Sequence, residues 1–205
     1  MLFAVYKYKK LISNRYEFFI ELIYNFNQNQ IYVIIDLYQY SRGKRMKKEI
    51  YEKLDELQIK YKVLEHDEVF TADEFYSVTK DMPGHHCKNL FLKNSNKSKN
   101  YLVVVKHDKS VDLKDIRAQI GSSRLSFDSP EKLYELMKVT PGSVNPFSII
   151  NDVNSEVEVL IDSDLLDGQN LNFHPAINTE TFNISGDDFN KFLNYIDNNV
   201  IKVNI

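Results

Sequence analysis

Two prolines and a glycine fall within six residues of the segment Thr140-Pro-Gly-Ser-Val-Asn-Pro-Phe147. No helix or strand interior tolerates that combination, because each proline fixes its own φ and lacks an amide donor while glycine admits conformations closed to other residues. The segment is therefore a rigid, non-repetitive loop, and the elements on either side must be arranged around it.

Upstream of the loop, Ile50, Leu54 and Leu57 recur every three to four residues, which predicts an amphipathic helix from Lys47 to near Gln58. A short strand is expected at Tyr61 to Leu64. Thr71-Ala-Asp-Glu74 has the capping-box pattern, so a helix should run to about Lys80 and stop at Pro83-Gly84. Asn89 to Lys93 and Tyr101 to Lys106 read as a hairpin across the polar turn Asn94 to Asn100. Asp112 to Ile120 reads as a helix closed by Gly121, and Ser129-Pro130-Glu131 opens another that reaches about Met137. Downstream of the loop the expected strands are Glu156 to Ile161, Leu171 to Phe173 and Thr179 to Ile184. A closing helix over Asp187 to Ile196 carries Phe189, Phe192 and Ile196 on one side. Helices and short strands without regular βαβ alternation predict an α+β fold with a mixed, curved or barrel-like sheet flanked by helices.

A chain of 205 residues, 43% of them apolar, supports one sizeable core but not two large domains. Its composition shifts at Ser41-Arg42-Gly43-Lys44-Arg45. Residues 1–45 hold seven of the thirteen tyrosines and no proline, and carry seven Lys/Arg against three Asp/Glu. They are set apart as an N-terminal extension, either upstream of the true start or an accessory segment with a helix at about 11–26 and a strand at about 31–38. Residues 46–205 form the expected functional domain. That part carries nineteen Lys/Arg against twenty-six Asp/Glu, so overall charge does not make this a nucleic-acid-coating protein. One stretch is basic: Lys88 to Lys114 holds seven lysines against Asp108 and Asp112. It is either a local RNA-contacting surface or the solvated rim of a hairpin. A single cysteine, Cys87, excludes an intramolecular disulfide and a multi-thiolate zinc site, and points to a reducing, cytoplasmic setting. Neither a signal peptide nor a run of eighteen apolar residues is present, so neither export nor membrane insertion is expected.

Alternation along the predicted hairpin places Lys88, Leu90 and Leu92 on one face and Cys87, Asn89, Phe91 and Lys93 on the other. A lysine sharing a face with two leucines either snorkels to water or is partly desolvated beside a pocket, where its ammonium seeks an anion. Gly142-Ser143-Val144-Asn145-Pro146 is either a tight turn or a loop whose amides approach a ligand closely. His174, between Phe173 and Pro175, is either packed or borders the same cavity. Cys87 beside Lys88 raises the possibility of a thiol nucleophile served by His85 or His86; the alternation turns it from the lysine's face. His85 and His86 lack further ligands at zinc-binding spacing.

Three segments, Lys88-Asn-Leu-Phe-Leu92, Val139-Thr-Pro-Gly-Ser-Val-Asn-Pro-Phe147 and Phe173-His-Pro175, occur in the order and spacing that resemble the YbaK/ProX-like prolyl-tRNA-editing deacylases, over about Lys48 to Ile196. The resemblance implies trans-acting hydrolysis of the ester of a mischarged aminoacyl-tRNA by a positioned water, without metal or organic cofactor. It is nearest the free-standing type that clears alanine from tRNA for proline, with cysteine as the second candidate. By the same resemblance Lys88, Gly142 and His174 are the catalytic residues. Asn89, Ser143, Val144, Asn145, Pro146 and Phe173 would line the substrate site. The acceptor end of tRNA would be the partner, with prolyl-tRNA synthetase a further one. Asn178-Thr179 fits the family, whereas Ala176 and Glu180 depart from its pattern and leave the pocket's shape open. The rival readings are a catalytically silent aminoacyl-tRNA sensor or synthetase-associated protein, and a Cys87-dependent hydrolase.

Overall fold

The computed structural model describes residues 43–69 and 71–205; the predicted helix and strand of the N-terminal extension lie outside them. Helix α1 covers residues 43–56 and buries Ile50 and Leu54 of the expected apolar positions together with Met46, while Leu57 lies just past its end and is half-buried. Strand β1 (Tyr61–Glu65) leads to helix α2 (Ala72–Thr79). The capping box forms in both directions, with Glu74 N–H donating to Thr71 Oγ1 and Thr71 N–H donating to Glu74 Oε2, each at 3.1 Å. Helix α2 ends at Thr79, close to the expected Lys80, which caps it three residues before Pro83-Gly84; Thr79 Oγ1 donates back to the Phe75 carbonyl at 2.6 Å there. Gly84 serves as the entry to the next strand. It has φ +91°, and a Cβ there would lie 1.9 Å from the Asn170 carbonyl oxygen.

Among the described residues the sheet has eight strands. After β1 come β2 (His85–Asn94), β3 (Asn100–Lys106), β4 (Leu125–Phe127), β5 (Val157–Asp162), β6 (Leu171–Phe173), β7 (Glu180–Ile184) and β8 (Val200–Val203). The spatial order is β1-β7-β6-β2-β3-β5-β8, with β4 also paired to β2. Pairings are antiparallel except β2–β6, β3–β5 and β5–β8, which are parallel. The expected mixed α+β architecture is thus present. Strands β4 and β8 were not anticipated; three and four residues long, they carry too little alternation to be told from loop by pattern. Helices α3 (Leu113–Gln119), α4 (Pro130–Met137) and α5 (Gly186–Tyr195) begin at Asp112, Ser129 and Ser185, whose side-chain oxygens each accept an early backbone N–H.

The sheet carries a core on both faces. On one, Phe147 sits among Phe192, Phe182, Phe173 and Phe189 at ring separations of 4.6, 5.0, 5.3 and 6.1 Å. Each such ring contributes about 1.5–3 kcal/mol through burial alone. On the other, Leu92, Tyr101, Val103 and Leu160 pack with Ile116 of α3 and Leu125 of β4. Among the described residues no helix is long and apolar enough to cross a membrane.

Candidate active site

One edge of β2 is shared by two strands that do not meet. Its first residues, His85 and His86, pair with β6, and its last, Leu92 to Asn94, pair with β4. Between them this edge runs from Cys87 to Phe91 without a strand partner, and there the loop after α4 approaches: Asn89 Nδ2 donates to the Val144 carbonyl at 3.0 Å. A cavity of about 180 Å³ opens at this point. Lys88 and Asn89 border it from β2, Gly142 and Val144 from the loop, and His174 from the end of β6. Five of the nine residues expected at the site therefore meet around one small space.

The other four lie in the loop's framework or behind it. Asn145 is fully buried and caps the 3-10 helix Pro146–Asn151 by accepting from Ser148 N–H at 3.0 Å. Its Nδ2 donates to the Ser143 carbonyl and to Ser148 Oγ, at 3.1 and 2.8 Å. Pro146 occupies the first turn of that helix, and Phe173 is buried in the aromatic cluster. Ser143 N–H is committed to the Thr140 carbonyl at 2.9 Å, which removes it from the loop's ligand-facing donors. Gly142 has φ +88° with nothing within 4 Å of a would-be Cβ, so glycine is required there by backbone conformation rather than by space.

Sequence reasoning missed part of the wall: His66, Val69, Thr71 and Phe75 line it from the segment leading into α2. Only the capping box at Thr71 signalled order in that segment, and a cap says nothing of what faces a cavity. His66 Nδ1 lies 2.7 Å from the Asp67 carbonyl and its Nε2 lies 3.0 Å from Thr181 Oγ1. Phase alternation on β2 also proved insufficient. Because the cavity opens at an edge rather than on a face, Cys87 and Lys88 both border it although their side chains leave opposite faces.

The polar groups of the wall differ in charge state and in partners. Desolvation in the wall pulls His174 down to about 4, against the opposing effect of a backbone hydrogen bond with Val144, so its imidazole is neutral near neutral pH. His174 Nδ1 and Asn89 Oδ1 are buried without a hydrogen-bond partner. Burial pushes the Cys87 thiol far above its usual range, and its Sγ donates only weakly, at 3.9 Å, to the His85 carbonyl. A thiol so disposed is a packed side chain rather than a nucleophile. Lys88 Nζ donates to the His107 carbonyl at 3.0 Å and to the Lys109 carbonyl. Its partners are thus carbonyl dipoles rather than a carboxylate, and at most one of its three N–H bonds remains for a ligand.

The rest of the basic stretch is largely neutralised. Lys93 pairs with Asp128 at 2.8 Å, Lys99 with Glu158, and Lys109 with the fully buried Asp162 and with Asp164, both at 2.8 Å. The two departures from the family pattern lie outside the cavity lining. Ala176 is buried with φ +63°, a conformation in which a branched aliphatic is strained. Glu180 is buried beneath α1, where it pairs with Lys47 and accepts from Tyr51 OH at 3.2 Å. A wider groove of about 760 Å³ lies between α1 and residues 149–155 and 195–198. It is more open and is lined by Glu49, Glu52, Glu56, Asp152 and Asp197, a charge unsuited to RNA, so the smaller cavity is the better candidate.

The fold is similar to that of a solved structure proposed as a trans-editing enzyme for prolyl tRNA synthetase. That structure superposes with a TM-score of 0.59 at 19% identity, over 78% of this chain and 97% of its own. The model of the family described as "Aminoacyl-tRNA editing domain" matches residues 66–192. "Prolyl-tRNA editing protein ProX" of Acetoanaerobium sticklandii is 38% identical over 147 residues, covering 72% of this chain and 90% of that protein. "Prolyl-tRNA synthetase associated domain-containing protein 1" of Mus musculus is 36% identical over 151 residues, covering 72% and 89%. The chain belongs to the aminoacyl-tRNA editing domain family. Its class is that of the aminoacyl-tRNA deacylases, enzymes that cut the ester between an amino acid and its tRNA.

Proposed function

We propose that this enzyme, through residues 46–205, clears a mischarged amino acid from tRNA in trans, with alanine on the tRNA for proline as its substrate. The observation that carries the reading is the single cavity bordered by Lys88, Asn89, Gly142, Val144 and His174. At about 180 Å³ it is well below the roughly 300–1,000 Å³ of sites that enclose drug-sized ligands. That space suits a short acyl group and leaves the tRNA outside. The remaining N–H of Lys88 is assigned to the terminal phosphate or ribose. The amides of the Gly142 loop are assigned to the oxyanion that forms when water attacks the ester carbonyl. An aminoacyl ester is already activated, so holding water and carbonyl in register supplies much of the acceleration without a cofactor.

Because one methylene in an apolar pocket discriminates by only about 10–200-fold, contacts with the acceptor stem must add selectivity against correctly charged prolyl-tRNA. Delivery of the substrate by prolyl-tRNA synthetase and a cytoplasmic setting accord with this role. The test is a panel of tRNAs for proline charged with alanine, cysteine, serine or proline, offered to the wild type and to Lys88→Ala. Alanyl ester should be cleaved fastest, and Lys88→Ala should be slower by about 10²–10³-fold, the cost of removing one preorganised electrostatic donor. Faster cysteinyl cleavage would reassign the substrate. An unaffected Lys88→Ala variant would remove the mechanism.

A further inference from the structure

Among the residues that border the cavity, Asn89 and His174 stand out because each keeps a buried polar atom without a hydrogen-bond partner. Asn89 gives its Nδ2 to the Val144 carbonyl at 3.0 Å, which fixes the orientation of its amide and leaves Oδ1 buried and unpartnered. His174 borders the same cavity, and its Nδ1 too is buried without a partner. A neutral imidazole whose Nε2 holds the proton presents Nδ1 as a bare lone pair. The Val144 carbonyl thus fixes Asn89, and two residues of one cavity wall each keep a buried polar atom that the fold does not satisfy. A buried acceptor without a donor costs about 1–3 kcal/mol, so two in one pocket favour a ligand that brings N–H or O–H groups.

We propose that Asn89 Oδ1 and His174 Nδ1 bind the free α-amine of the aminoacyl group and make it a requirement for cleavage. The inference rests on the deacylase reading above. The rest of the wall mixes apolar Val69, Phe75 and Val144 with polar His66, Thr71 and Asn178. An acyl group entering such a space carries one certain donor, its α-amine. Amine and ammonium alike donate N–H, so recognition survives titration of the substrate. The acyl chain's identity would be judged by the apolar wall, while these two acceptors would judge whether the nitrogen is free. Aminoacyl-tRNAs blocked on nitrogen, such as N-acylated or peptidyl forms, would then be refused, which protects chains under synthesis from an editing enzyme.

The test compares alanyl-tRNA with isobutyryl-tRNA, in which a methyl group replaces the amine at nearly equal size. Each rate is divided by its own uncatalysed hydrolysis. The wild type should accelerate alanyl cleavage at least about tenfold more than isobutyryl cleavage, the equivalent of one lost hydrogen bond to a buried acceptor. Asn89→Leu and, independently, His174→Phe should collapse that ratio towards one. A purely structural part for either residue lowers both rates together and leaves the ratio intact, as would acceptors that hold only water. Equal acceleration of both esters by the wild type overturns amine recognition while leaving the deacylase reading standing. Acceleration of neither overturns both.

Discussion

Asparagines in two parts of this protein do opposite work. At the start of β2, Asn172 Nδ2 donates to the carbonyls of Pro83 and His85 at 3.2 and 3.3 Å. Asn183 Nδ2 donates to Pro83 O and Asn172 Oδ1, both at 2.8 Å, and Asn170 Nδ2 donates to Asn183 Oδ1 at 2.7 Å. Oxygens and amides are matched, and the network ties β6 and β7 to the turn that admits β2. A few residues along the same strand, Asn89 has its amide matched and its oxygen left bare. A closed network specifies a unique arrangement of strands; a half-closed one keeps a valence for something outside the fold. Full satisfaction marks scaffold here, and partial satisfaction marks site.

The contrast can be broken most directly by Asn183→Leu. It orphans Asn170 Nδ2 and Asn172 Oδ1, so it should destabilise by about 3 kcal/mol and lower the melting temperature by about 6–12 °C. Asn89→Leu should cost about 1 kcal/mol or less in the same thermal scan, since it forfeits one bond while relieving one unpaired oxygen. Equal losses in the two variants would erase the distinction.

Burial of His174 gives a second handle. Its folded-state value near 4 lies below the ordinary histidine value of 6.5, so the unfolded chain binds a proton that the folded one refuses. Its contribution to stability is therefore complete above about 6.5 and is lost as pH falls from there towards 4, by at most about 3 kcal/mol. Urea titrations of wild type and His174→Gln should show a stability difference that shifts in the wild type's disfavour over that window. The kcat/KM of the wild type should stay level through pH 6.5 and decline only near 4. A midpoint near 6.5 would mean an ordinary, solvated imidazole. Next in size, Gly142→Ala should lose about 1–2 kcal/mol through its left-handed backbone alone, as open space surrounds the position. Single-turnover deacylation should fall with it. Smallest of all, Cys87→Ser should keep deacylation within about threefold, because a thiol held in its protonated form has no nucleophilic part to lose.

Much of this architecture was written locally. The capping box at Thr71 and Glu74, the caps at Asp112 and Ser129, and the proline-glycine loop each depend on neighbours a few residues away, and they appear where the pattern put them. Lys88, Asn89, Gly142, Val144 and His174 could be nominated from three short segments, and the structure gathers them at one cavity. That Lys88 would also be held by the carbonyls of a turn nineteen and twenty-one residues away could not be read from its own strand. The charge of the basic stretch could not be balanced from the stretch alone, because Asp128, Glu158 and Asp162, which pair with three of its lysines, come from later elements.

The sequence by itself determined most of the elements, their caps, the glycine that a left-handed turn demands and the residue types able to bind an acyl ester, since propensity and hydrogen-bond capacity reside in single residues and near neighbours. Only the tertiary structure decided that β2 would share one edge between β4 and β6, that a cavity would open in the gap, and which polar atoms would be left bare around it. Pairing and desolvation are properties of what comes together from distant parts of the chain. No local pattern can state which hydrogen bonds go unmade.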